Sequence, residues 1–509
     1  MSEARKWSKQ QDDIFYHLSE HNGHILVRAR AGTGKTTTIL EGINYAPEDT
    51  ILLAAFNKKI ATELQYKLTN PKAEAKTLHS LGFRTLLRNW NNTALDDERG
   101  AKLAAKGMGL HNNLGDEDRK AIEPVIKMVK RLASLGKNAA PFPKPGELVD
   151  LAYKFEIEPS EEQDEAGWTV ERLARAAEQA MHLAATQRDG TCDFDDMVFV
   201  PVRNKWVRGW YELVIIDEAQ DMNESQLLLA QALCKRGGRI MVVGDDMQAI
   251  YGFRGADSNS LDRLKKQLNA KELGLTITYR CPTAVVESVK HLVPDFTAAP
   301  GAPSGKITDA TVDQMIQGAQ LGDFILSRKN APLAQMCLKL LKNRKRARIE
   351  GKETGRQLIN LVKKFSATTF ERMYEKLKTW EDRECAKLLA TGKESAIQRI
   401  ELVHDQADCI RALSEDLIKP SDLVKRIEEL FEDTPGGVTD FIRCSSVHRA
   451  KGLETDRVWL LSETLYPGGR TSDQEEKNIE YVANTRAKKE LVKVTGLTLD
   501  KPKKKAAPQ

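Results

Sequence analysis

The sequence predicts an α/β fold: a parallel sheet carrying a phosphate-binding loop and interrupted by mostly helical insertions. Three observations predict it. Short apolar runs, among them Ile25-Leu26-Val27, Ile51-Leu52-Leu53-Ala54-Ala55, Leu213-Val214-Ile215-Ile216 and Ile240-Met241-Val242-Val243, read as strands buried on both faces. A polar cluster follows each later run, and the first leads through Ala29-Arg30 into a glycine-rich turn that opens a helix. From residue 84 to 190, strand-like runs give way to segments rich in Ala, Leu, Lys and Glu, broken at Pro141-Phe142-Pro143-Lys144-Pro145.

The turn is Ala29-Arg30-Ala31-Gly32-Thr33-Gly34-Lys35-Thr36, continued by Thr37-Thr38-Ile39-Leu40-Glu41. Glycines at 32 and 34 let the backbone wrap closely, so that consecutive N–H groups and the helix N-terminus face an anion. Lys35 is expected to reach the β- and γ-phosphates of a nucleoside triphosphate, and the Thr36 hydroxyl to bind Mg²⁺. Ala29 stands where the general pattern has its first glycine.

At 509 residues the chain needs two to four domains. Hydrophobic residues at 41% and charged residues at 30% fit a soluble globular protein. No run approaches the roughly 18 apolar residues of a membrane span, and no apolar signal core follows Met1-Ser2-Glu3-Ala4-Arg5-Lys6; the expected location is cytoplasmic, the host cytoplasm for a viral protein. The seven cysteines form no Cys-x-x-Cys pair and read as reduced. The nine histidines lack ligand spacing, which argues against a metal held by side chains alone. A net charge of +5 is too mild to identify a nucleic-acid partner, and the basic runs 342–348 and 503–505 read first as solvated surface.

In chain order, Ser8 is a helix N-cap ahead of an apolar face formed by Ile14, Phe15 and Leu18. Gln11, just upstream of the phosphate loop, can use both halves of its amide on an adenine edge. Phe56-Asn57-Lys58 lies at the C-terminal end of a strand, where ligands of parallel sheets bind. An aromatic beside Asn and Lys suits a stacked base with a nearby phosphate. Thr77-Leu78-His79 opens another helix with similar chemistry. After the helical block, which ends at Asp193-Phe194-Asp195-Asp196-Met197, a strand runs into Asp217-Glu218-Ala219-Gln220-Asp221. Asp217 is expected to hold Mg²⁺, and Glu218 to orient or deprotonate the attacking water. Asp217 lies 182 residues after Lys35 (217 − 35), a gap that requires an insertion. The next strand ends in Gly244-Asp245-Asp246-Met247-Gln248, with Gln248 placed to sense the γ-phosphate and Tyr251, Phe253 and Arg254 close behind to meet nucleic acid.

Together with the segments that follow, these motifs resemble superfamily 1 DNA helicases of the UvrD/Rep/PcrA type, in a compact form similar to phage and F-box DNA helicases. Thr278-Tyr279-Arg280 resembles the segment whose tyrosine stacks on adenine and whose arginine reaches the γ-phosphate. Ile325-Leu326-Ser327-Arg328-Lys329-Asn330 resembles the strand that follows it. Ser446-Val447-His448 and Gly452-Leu453-Glu454 resemble the motif that contacts DNA through a hydroxyl and a histidine, and the ribose through its glutamate. Asn484-Thr485-Arg486 resembles the last motif, whose arginine is the second finger. Ser446 replaces the usual threonine, Thr455 the usual aromatic, and Phe56 is displaced by one position.

The resemblance implies two RecA-like parallel-sheet P-loop motor domains, each with a helical insertion. Residues 1–83 with 191–275 form the first motor and 84–190 its insertion. Residues 276–330 with 436–497 form the second, 331–435 a reduced accessory insertion, and 498–509 a basic disordered tail. The stripes Leu358, Leu361, Val362, Phe365 and Leu423, Ile427, Leu430 are expected to pack that insertion's core. ATP and Mg²⁺ are the implied cofactors. The implied partners are single-stranded DNA and junctions of single- and double-stranded DNA, with recombinase or replication proteins as further candidates. The implied state is a monomer acting in replication, repair or recombination. Three activities remain open: a 3′-to-5′ helicase, a translocase that mainly strips bound proteins, and a non-processive ATP-dependent clamp.

Overall fold

A computed structural model describes residues 6–497 except 21–22, 56, 111–115, 140–141, 156, 160, 251–259, 391–394, 433–439 and 468–472. Phe56, Tyr251, Phe253, Arg254 and the 498–509 tail therefore lie outside the described residues. The chain forms two compact units, Met1–Arg30 with Gly34–Leu275, and Ala31–Thr33 with Thr276–Gln509.

The first unit runs α1 (Lys9–Ser19), β1 (Ile25–Ala29), α2 (Lys35–Gly42), β2 (Ile51–Ala55), α3 (Lys58–Lys67), β3 (Ala73–Thr77), α4 (Leu78–Asn89) and β4 (Ala94–Leu95). Five helices follow: α5 (Arg99–Gly107), α6 (Asp116–Asn138), α7 (Pro145–Lys154), α8 (Glu161–Glu165) and α9 (Val170–Thr186). Then come β5 (Thr191–Cys192), α10 (Asp196–Arg203), β6 (Tyr211–Ile216), α11 (Glu224–Leu233), β7 (Cys234–Gly244), α12 (Ser260–Leu268) and β8 (Lys271–Leu275). Six strands form one sheet in the order β3-β2-β6-β7-β1-β8, parallel at every pairing.

Alternate residues of these strands feed two cores, which is why the runs read as uninterrupted apolar sequence. Ile25, Val27, Leu53, Ile215 and Met241 pack with Ile14, Leu18, Ile39 and Ile43 of the α1–α2 side. Leu26, Leu52, Val214, Ile216 and Val242 pack with Leu78, Leu81, Leu227 and Leu261 on the opposite face. Full burial of each such side chain stabilises the fold by roughly 1.5–3 kcal/mol. Ser8 caps α1 as expected, in a reciprocal capping box with Gln11.

The helical insertion has its own core, in which Leu103, Val129, Leu132, Leu148, Leu173 and Ala177 meet. Its boundary differs from the expected residue 84, because α4 continues to Asn89 and delivers Leu86 and Trp90 into that core. Two two-residue strands, β4 and β5, pair at its base. They are too short to show alternation in the sequence.

The second unit contains β9 (Ile277–Thr278), α13 (Thr283–Val289), β10 (Thr297–Ala298), β11 (Lys306–Thr311), α14 (Val312–Gly318), β12 (Phe324–Ser327), α15 (Asn330–Lys342) and β13 (Ala347–Ile349). Next are α16 (Lys352–Phe365), α17 (Phe370–Ala390), α18 (Ser395–Leu413) and α19 (Pro420–Leu430). It closes with β14 (Ile442–Ser446), α20 (Val447–Ala450), β15 (Thr455–Leu461), α21 (Gln474–Asn484) and β16 (Ala487–Thr495). Its sheet, β11-β16-β15-β12-β14-β13, is again wholly parallel. Because β13 pairs with β14, residues 331–349 belong to this sheet layer, and the helical insertion starts at Lys352 rather than at 331.

Leu358, Val362, Phe365, Leu423, Ile427 and Leu430 are buried in one cluster, with Leu361 partly buried against it. Part of the basic run 342–348 is engaged by its own unit. Lys342 pairs with Asp416 and Arg348 with Glu432, both at 2.5 Å, and Lys345 Nζ donates to the Gln317 and Ala319 carbonyls. All seven cysteines are free thiols. Among the described residues no helix is long and apolar enough to cross a membrane.

Candidate nucleotide site and nucleic-acid cleft

Parallel strands bring the strand-end site residues of the first unit to one edge of the sheet. β1, β6 and β7 each end in a charged turn, and β7 separates β1 from β6 in the strand order. The turn after β1 is left-handed at both glycines, with φ of 70° at Gly32 and 79° at Gly34. α2 begins directly at Lys35, which puts Lys35, Thr36 and Thr37 in its first turn.

Lys35 Nζ lies 2.9 Å from Glu218 Oε1. Burial opposes the ammonium charge, yet Glu218, Asp245 and Asp217 together raise the Lys35 pKa above its ordinary value. Asp217 is pushed up to about 7 by burial and then by the Glu218 charge. Glu218 sits at φ 51°, a left-handed conformation unusual outside glycine, at the junction between β6 and a single 3₁₀ turn. Gln220 Nε2 donates to Glu218 Oε2 at 2.5 Å and so fixes the carboxylate. The Asp217 and Glu218 carboxylates offer hard oxygen donors of the kind Mg²⁺ takes, but among the described residues no three acidic, His or Cys side chains are grouped so as to hold a metal by themselves.

Asp245 is a member of this cluster that the sequence reading passed over. It is fully buried and its pKa is raised by desolvation, while Arg30 Nη1 contacts it at 3.3 Å and Asp246 at 2.9 Å. The signal was present, since Asp245 ends its strand as Asp217 does. Gln248 is buried, and its Nε2 donates to Asp245 Oδ2 at 2.6 Å. Gln11 is buried too. Its Oε1 accepts from the Ser8 backbone N–H at 3.0 Å and its Nε2 donates to Thr38 Oγ1 at 2.9 Å, which ties it to α2.

Beside this turn, a cleft of about 1240 Å³ opens along the ends of β2 and β3, lined by Asn57, Lys58, Tyr66, Thr77, His79 and Phe194 among others. Asn57 and Thr77 use their side chains as N-caps of α3 and α4. Lys58 is exposed and makes no ion pair among the described residues. Phe194, 56% exposed, stacks on His79 with ring centroids 3.9 Å apart and planes 21° apart. Burial holds the His79 pKa down at about 4, so the ring is neutral at physiological pH. Phe194 is the second residue missed from sequence. An aromatic flanked by three aspartates was the available signal.

In the second unit, Tyr279 is 53% exposed. Arg280 pairs with Glu454. Arg486 is fully buried and donates to the carbonyls of Val482 at 2.8 Å and Leu453 at 3.2 Å. Burial and the nearby Arg280 charge lower its pKa to about 10. Ser446 ends β14, and His448 lies in the short α20, its pKa held at about 3 by burial, Arg328 and Lys451. Arg328 itself is fixed by both oxygens of Glu476.

A lysine at a left-handed glycine turn, backed by strand-end carboxylates, is suited to hold phosphate, and the first unit has the P-loop nucleotide-binding fold. Comparison with known proteins narrows the class. The UvrD/REP helicase N-terminal domain matches residues 7–269, and the UvrD-like helicase C-terminal domain matches 299–495. The chain belongs to the UvrD/REP helicase family. Relatives include the ATP-dependent DNA helicases Rep of two Buchnera aphidicola strains, 26% and 28% identical over 53% of this chain. PcrA of Staphylococcus aureus is 26% identical over 53% of the chain. The matched stretch spans 42% of the first Rep, 43% of the second and 38% of PcrA, less than half of each relative.

Proposed function

We propose that the chain hydrolyses ATP and uses the energy to move 3′-to-5′ along single-stranded DNA and separate strands. The observation that carries the reading is the Lys35–Glu218 contact at the C-terminal edge of a parallel sheet, next to a cleft whose stacked His79–Phe194 pair borders exposed Lys58. Family membership supports it. Lys35 clamps the β- and γ-phosphates; Glu218, held by Gln220, positions the attacking water and takes its proton. Thr36 and Asp217 would hold Mg²⁺, which would neutralise phosphate charge. Gln248 senses the γ-phosphate, and Arg280 and Arg486 stabilise charge on the transferred phosphoryl group. Gln11 and Tyr279 take the adenine and Glu454 the ribose.

On the DNA side, bases stack at Phe194, while Asn57, Lys58 and Thr77 meet the strand; Ser446 and His448 contribute from the second unit. ATP hydrolysis measured with single-stranded DNA, RNA, duplex DNA and no nucleic acid tests the reading. Single-stranded DNA is expected to stimulate most, and an unstimulated rate with every nucleic acid would overturn it. Duplex-unwinding and streptavidin-displacement assays then separate strand separation from protein stripping.

A further inference from the structure

The last turn of α6, residues 134–138, is gripped on two sides by polar side chains. On one side lies the turn that carries Phe194. Ser134 Oγ donates to Asp195 Oδ2 at 2.5 Å and Asn138 Nδ2 to Asp195 Oδ1 at 3.2 Å. Lys137 pairs with Asp193 and Asp196 at 2.8 Å each. On the other side lies the N-terminus of α11. Asn223 Nδ2 donates to Asn138 Oδ1 at 2.8 Å, and Ser225 Oγ donates to the Lys137 carbonyl at 2.6 Å. Asn223 also caps α11, accepting from Gln226 N–H at 2.9 Å. Two residues upstream, the Asp221 N–H donates to the Glu218 carbonyl at 3.0 Å and closes the turn that holds Glu218 in its left-handed conformation.

Lys137, Asp196 and Ser225 are buried. A buried ion pair is costly to break by removing one partner, because the other charge is left uncompensated. Buried ion pairs therefore hold the 193–196 turn to the end of α6, and two hydrogen bonds tie the start of α11 to the same helix end. Phe194 is the exposed member of its turn.

We propose that the last turn of α6 is a coupling bracket, carrying the state of the Phe194 stack to the Glu218 turn through the Asn138–Asn223 and Lys137–Ser225 bonds. The proposal rests on the reading that the chain is a DNA-stimulated ATPase, and it makes Asn138 and Ser225 positioning residues. The alternative is a purely structural network that fastens the insertion to the sheet.

The two differ in what Asn138→Ala/Ser225→Ala does in the full chain, assayed with ATP and an oligothymidylate. The bracket predicts single-stranded DNA affinity and DNA-free hydrolysis within about twofold of wild type, with DNA stimulation reduced by about tenfold, inside the range usual for coupling between two sites. Stimulation at the wild-type level overturns the bracket. So does an equal fall in basal and stimulated rates, the mark of a structural role. If the double variant does not fold, Ser225→Ala alone, which removes one hydroxyl, is judged by the same criteria with a partial loss expected. An unstimulated wild-type protein would instead defeat the underlying reading, and the bracket with it.

Discussion

Lys35 and Glu218 touch each other but are assigned different tasks, and substitutions can separate those tasks. Lys35→Ala removes the charge that meets the phosphates, so ATP affinity is expected to fall by about tenfold or more, given the 1.5–3 kcal/mol of a charged hydrogen bond. Glu218→Gln keeps the side-chain shape and removes the water-orienting base. Binding should persist while turnover drops by about 10²–10⁴, the usual contribution of a general base. Equilibrium binding of a labelled nucleotide and steady-state hydrolysis measure the two effects, and wild-type turnover in Glu218→Gln would rule out the assigned role.

The stack makes two further predictions. Phe194→Ala removes the exposed face of the pair, and base–aromatic stacking is worth ~1–3 kcal/mol. Single-stranded DNA affinity should fall by roughly ten- to a hundredfold with the salt dependence unchanged, whereas Lys58→Ala should flatten that dependence by about one phosphate contact. His79 supplies the pH prediction. The unfolded chain protonates this ring near 6.5 and the folded chain only near 4, so the unfolded state binds more protons between those values. The stability that His79 contributes is fully present above pH 6.5 and is lost as the pH falls towards 4. His79→Phe, which preserves a ring against Phe194, should reduce the drop in Tm between pH 7 and 5. An unchanged drop would mean that His79 is not buried as described.

At the level of elements, the strands of the first sheet and the loop-to-helix turn were legible because both leave local marks: continuous apolar runs, a capping serine, glycines at positive φ. The Leu358 and Leu423 stripes were legible for the same reason, since helical spacing records which side is buried. Asp245 was legible only in part: its place at a strand end is a local mark, whereas its membership of the Lys35 cluster depends on strand order rather than on spacing. The stacking of Phe194 on His79 likewise joins positions on either side of an entire helical insertion. Boundaries failed where an element belongs to two layers. α4 begins on the sheet and ends in the insertion, and β13 is a three-residue strand hidden behind a basic run. Gln11 illustrates the benefit of reading an element as a unit. It completes the α1 capping box and also reaches Thr38, so Ser8→Ala should cost about 1 kcal/mol as a lost cap and also loosen Gln11. Thermal melting and the ratio of ATP to GTP affinity report the two effects, and a lower Tm with an unchanged ratio would argue that Gln11 takes no part in base selection.

At the scale of the whole molecule, the residues proposed for the chemistry fall in both parallel-sheet units: Lys35, Asp217 and Glu218 in the first, Arg280 and Arg486 in the second. The two arginines looked equivalent in sequence, and the fold distinguishes them. Arg486 is fully buried among carbonyls of its own unit, so Arg486→Ala strands acceptors that cost ~1–3 kcal/mol each when unsatisfied. Its Tm should fall by several degrees, at roughly 2–4 °C per kcal/mol for a unit of this size. Arg280 is only partly buried and pairs with the exposed carboxylate of Glu454, a contact worth at most about 1 kcal/mol. Arg280→Ala should therefore melt close to wild type, and it is the variant that isolates chemistry from folding. As a finger on the transferred phosphoryl group it should lower DNA-stimulated hydrolysis by ~10³ or more while single-stranded DNA affinity is retained. Wild-type hydrolysis in Arg280→Ala would remove the second unit's arginine from the reaction. A loss of DNA affinity equal to the loss of rate would reassign Arg280 to the phosphodiester backbone.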